Sequence, residues 1–181
     1  MYIKNGFIVQ RKPNNCGYKG VENDNWYLNH MDCNEYFKKY YDEHIEFSWN
    51  SNEFVDCCNN IDFIIDYIKE SIKKNINCRV ILCETKRQYP RLPDNLNLNA
   101  EFIGFDYAYS GGSYYSTINN DTCLNEILET KRITLNDNGL FDTENDLTEY
   151  VKARNEFMKK NPNVYLEDGD FIEYKLSLIK L

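Results

Sequence analysis

Nowhere in the chain do about eighteen apolar residues follow one another. The opening MYIKNGFIVQRK also lacks the long apolar core and small-residue cleavage site of a secretory leader. A cytosolic protein without a membrane span is expected. Histidine is almost absent: His30 and His44 are the only two, and neither stands beside a serine or cysteine in a recognisable nucleophile setting. No Cys-x-x-Cys pair supplies the hooks of a structural zinc site. The glycines lack the spacing of a dinucleotide fold and the Lys-Ser or Lys-Thr of a P-loop. These absences argue for no metal, no cofactor and no catalytic constellation.

Basic charge is also in short supply. The net charge is −8, with an acid excess of 3 in residues 1–75, none in 76–120 and 5 in 121–181. Such a surface repels phosphate backbones, which disfavours nucleic acid, and steers basic proteins toward it. The seven cysteines are odd in number and no leader carries them to an oxidising compartment, so free and mostly buried thiols are expected.

What is present suits one globular domain spanning 1–181. The chain is 42% hydrophobic and 15% aromatic, with no low-complexity linker and no internal repeat. GFIVQ at 6–10 reads as an opening strand. Tyr36, Phe37, Tyr40 and Tyr41 share a helical face, and HIEFSW at 44–49 alternates as a strand does. Ile61, Ile64, Ile65, Ile68 and Ile72 form a stripe at helical spacing, with Asn60 as a cap. CRVILCE at 78–84 is apolar without alternation, which predicts a strand in the middle of a sheet.

Residues 85–99, with two prolines, read as a surface connection. AEFIGFDYAY then alternates, placing Phe102, Gly104, Asp106 and Ala108 on one face and Ile103, Phe105, Tyr107 and Tyr109 on the other. A short helix capped by Asp121, a short strand RITL and an NDNG turn are expected next. Thr143-x-x-Asp146 resembles a capping box before a helix striped by Leu147, Tyr150, Val151, Phe157 and Met158. The tail carries Asp-Gly between two alternating runs, the signal of a C-terminal β-hairpin with one wet face. The fold class is α+β (mixed α/β): a mixed or mostly antiparallel sheet with helices packed on it.

Two groups of residues stand out as candidate partner contacts. Asp106, Tyr107, Tyr109, Tyr114 and Tyr115 flank a Gly-Gly break, and tyrosine offers a large contact area at small entropic cost. Asp142, Glu144, Asp146 and Glu149 crowd a helix start without a cation among them, more acid than the helix dipole explains. The alternative is a small-molecule-binding domain or enzyme with a cleft near Asp106 and the Tyr-rich 107–115 segment. The Ser-Tyr-Tyr-Ser run is similar to the Ser-Thr-Ser neighbourhood of ADP-ribosyltransferases, but their Gln-x-Glu or Glu-x-Glu motif is missing.

Over residues 100–160, GFDYAYSGGSYYSTI followed by a short helix and NGLFDTENDLTEYVKARNEF resembles small proteins of low-GC Gram-positive bacteria. Those proteins sit beside polymorphic toxins and are read as immunity proteins. The resemblance implies an acidic cytosolic module that plugs or covers the active site of a cognate toxin and catalyses nothing; the net charge of −8 adds the expectation that the toxin is basic. It assigns no site residues.

Overall fold

The computed structural model describes residues 1–11, 61–73, 78–87, 91–109, 123–164 and 171–180. Among these residues four strands form one sheet: β1 (Ile3–Arg11), β2 (Cys78–Thr85), β3 (Ala100–Tyr109) and β4 (Phe171–Ile179). Their order is β1-β2-β4-β3, and all three pairings are antiparallel. Among the described residues three helices accompany them: α1 (Ile61–Lys73), α2 (Leu124–Lys131) and α3 (Glu144–Lys160). The architecture is α+β, with β2 inside the sheet as its unbroken apolar run demands.

The C-terminal strand is the second interior strand, held by β2 on one edge and β3 on the other. Of the expected hairpin the structure describes this arm; residues 165–170, with most of the first arm, lie outside the described residues, as do the helix and strand expected in 36–49. The expected wet face is wet over only part of β4. Glu173 and Lys175 are partly exposed, but Ser177 and Ile179 on the same side are buried.

Cross-strand pairing assigns the faces. On one, Ile81, Cys83, Ile172, Tyr174 and Leu176 pack with Ile103 and Leu140. On the other, Phe7, Val80, Leu82 and Ile179 receive Ile64 and Ile68 of α1. Each such aliphatic side chain removed from water contributes about 1.5–3 kcal/mol. The helical stripe holds for Ile64 and Ile68, whereas Ile72, one turn further, is 63% exposed. The connection after β2 is less of a surface feature than its prolines suggest. Leu92 is buried in the same cluster and its N–H donates to the Lys4 carbonyl at 2.8 Å.

The alternation expected in β3 is broken once. A register shift between Phe102 and Gly104 inserts Ile103 as an extra residue. Phe102 therefore pairs with Ser177 and lies opposite Gly104, while Gly104, Asp106 and Ala108 share a face with Leu176, Tyr174 and Ile172. Gly104 has φ +143°, a conformation that a side chain resists.

Beyond β3 the chain builds a third cluster. Tyr107 and Phe141 pack with Cys123 and Ile127 at α2 and with Leu147, Tyr150 and Ala153 of α3. Val151, Phe157 and Met158 pack against it, half-buried, as the stripe predicts. Arg154 is also fully buried, its guanidinium 3.2 Å from the Met158 sulfur. The RITL segment is not a strand: Arg132 closes α2 in the left-handed region, and Leu135 makes one isolated bridge to Phe141. Cys123, not Asp121, occupies the cap position of α2. Cys83 and Cys123 are both buried.

Candidate functional site

The acidic helix start is held from both sides. Asn136 opens the NDNG turn, and its carboxamide oxygen accepts the N–H groups of Asn138 and Leu140 at 2.9 and 3.2 Å. Its amide nitrogen donates to the Ile103 carbonyl and to Asp142 Oδ1, each at 2.9 Å. Thr143 then caps α3 by accepting the Asp146 N–H at 3.1 Å. The capping box is half realised. Asp146 Oδ2 accepts from the Thr143 hydroxyl at 2.7 Å, where the longer glutamate of a full box turns back to the cap's own N–H.

Glu144 is not without a cation. Lys86, just past β2, donates to Glu144 and to Glu173 of β4, the latter at 3.3 Å. Its ammonium lies 5.4 Å from the centroid of the Tyr2 ring. The Glu144 carboxylate holds Lys86 above its ordinary pKa. Burial, and then the negative charge of Glu144, push the Tyr2 phenol from 10.0 to about 12. The Tyr2 hydroxyl is itself buried, beside the Glu144 carboxylate.

A row across all four strands leads to this cluster. Lys4 faces Glu84, Glu84 faces Lys175, and Lys175 faces Phe105. Lys175 and Glu84 form an ion pair at 2.9 Å. Phe105 stacks edge-on with Phe102 at 5.1 Å and tilts toward Tyr2 at 5.9 Å.

The sequence-predicted residues fall in different places. Asp142 is exposed, and Glu144 and Glu149 are partly exposed on α3. Asp106 and Tyr107 are closed to solvent, at 0% exposure each. Asp106 Oδ1 accepts the Tyr107 N–H at 2.8 Å, and the Tyr107 ring meets Tyr150 of α3 at 5.9 Å. Tyr107 thus underlies the helix that carries the acids. Tyr109 ends β3 without a described side chain, and Tyr114 and Tyr115 lie outside the described residues, as do both histidines.

Sequence reasoning missed Tyr2, Lys86 and Glu173. Lys86 is 58 residues from Glu144 and 87 from Glu173, so no local spacing marks the cluster. Among the described residues no group of three His, Cys, Asp or Glu side chains converges as metal ligands. None of their helices is long and apolar enough to cross a membrane. No family model matches the chain, and neither a curated protein nor a solved structure does.

Proposed function

We propose that the protein is a non-catalytic cytosolic binding module of the immunity type, which binds and neutralises a cognate basic toxin through the acidic start of α3. One observation carries the reading: Asp142, Glu144 and Glu149 stand on a capped helix end with solvent access, in a chain of net charge −8. A capped helix on a packed sheet presents its carboxylates preorganised, and a negative patch accelerates encounter with a positive partner. Tyr107 supports this role from beneath, by anchoring α3 through Tyr150.

The test begins with capture from the source organism, followed by co-expression of the captured protein with the wild-type chain. The reading requires that the captured protein be basic, that it harm cells on its own, and that the wild-type chain suppress the harm. Capture of no such protein, together with a metabolite that raises the melting temperature, would replace it with the small-molecule reading.

A further inference from the structure

On the sheet face that carries Phe105, three aromatic rings line up and are not fully covered. Phe102 is 45% exposed and contacts Phe105, which in turn contacts Tyr2; both are half-buried. The strip ends at Lys86, Glu144 and Glu173, whose side chains are 51%, 41% and 31% exposed. Two carboxylates from different elements and one aromatic face therefore surround a single ammonium, the chemistry by which proteins recognise alkylammonium and guanidinium groups.

The seated ammonium is tethered, not walled in. Lys86 lies in a bend after β2, and an ion pair this open to water holds its partner weakly enough for another cation to exchange with it. Around it Glu84, Glu144 and Glu173 stand against Lys4, Lys86 and Lys175, and Asp142 and Asp146, next along the chain, add further acid on the Glu144 side. The surface that complements this strip carries a cation at one end and apolar carbons behind it.

We infer that the strip of Phe102, Phe105 and Tyr2 is a docking surface for a basic segment of a protein partner, whose lysine or arginine displaces Lys86 between Glu144 and Glu173. The inference rests on the protein-binding reading above and names the site of that contact. Apolar side chains of the partner cover Phe102 and Phe105, and burial of the exposed ring adds to the affinity. Lys86 acts as an internal competitor that keeps the carboxylates paired until the partner arrives.

n-Hexylammonium chloride carries both features, and it tests the site without the partner. Backbone amide shifts are followed by NMR during titration, against sodium chloride at matched ionic strength and against n-hexanol. The expected result is saturable shifts at Tyr2, Phe105, Glu144 and Glu173 that neither control reproduces. E144Q with E173Q weakens the probe about tenfold, and Lys86→Met, which empties the cage, strengthens it. Glu101→Gln, whose carboxylate pairs with Lys180 and not with Lys86, leaves it unchanged. Shifts no larger than those of the controls, or shifts that persist in the double variant, overturn the inference. If a toxin is neutralised but the probe does not bind here, the docking surface is refuted and the immunity reading stands. If the probe binds as described but no toxin exists, the cation site stands and the immunity reading falls.

Discussion

A β-carbon on Gly104 would lie 2.6 Å from Cβ of Leu140, and also 3.0 Å from the Phe141 carbonyl oxygen and 3.1 Å from the Asn136 amide nitrogen. The bare backbone lets the 136–141 turn close on β3, where Phe105 and Phe141 exchange N–H···O=C bonds of 2.8 and 3.0 Å. Because that turn also orients Asp142, the acidic helix start depends on a glycine in another element.

Gly104→Ala is therefore expected to destabilise the fold by about 2–4 kcal/mol, combining a positive-φ penalty with overpacking against backbone. Gly139 supplies the contrast. Its φ is +69°, yet nothing lies within 4 Å of an added Cβ, so Gly139→Ala should cost about 1 kcal/mol. Urea denaturation of both variants checks the order, and an equal or reversed ranking contradicts the close approach.

Asp106 is a second internal support. A buried carboxylate accepting a backbone N–H loses that partner on truncation, so Asp106→Ala should cost about 1–3 kcal/mol. An unchanged denaturation midpoint would mean that the side chain is solvated.

The period-two and period-3.6 patterns made most elements legible. β2 was marked by its unbroken apolar run, α1 by isoleucines of which Ile64 and Ile68 reach the core, and α3 by its Thr-x-x-Asp start and apolar stripe. The bulge at Ile103 was not legible, because a strict alternation has no place for an extra residue and carries Phe102 onto the wrong face. Ile72 continues a helical pattern past the edge of the surface it packs on. The acids at 142–149 were visible as a local cluster. Their cation was not, because Lys86 arrives from 58 residues away through sheet topology.

Thr143 should matter for the helix end more than for the core. Thr143→Ala removes the bond to the Asp146 N–H and is expected to cost about 1 kcal/mol, while Thr143→Ser retains most of it. Thermal unfolding of the two variants separates a cap from a packing role, since only a packing role makes serine as harmful as alanine.

Tyr2 ties stability to alkaline pH. Its pKa is raised in the folded state, so the folded protein holds the phenolic proton more tightly than the unfolded chain does. The associated stability is complete below pH 10.0 and is lost as pH rises toward about 12. Tyr2→Phe should flatten the fall in stability over that window. At neutral pH the phenol is protonated in both the folded and the unfolded chain, so the substitution changes no charge there. Parallel denaturation curves for the two proteins across this range would contradict the shift.

The most direct measurement is the association rate of the proposed toxin, once captured, with wild type and with the D142N, E144Q, E149Q variant, at low and at high salt. If the acidic start of α3 guides the toxin in, the wild type associates about tenfold faster than the variant at low salt, and the gap closes at high salt. The variant should keep its stability within about 1 kcal/mol, so that the difference reports encounter and not folding. Equal rates for the two proteins at both salt concentrations would contradict the account.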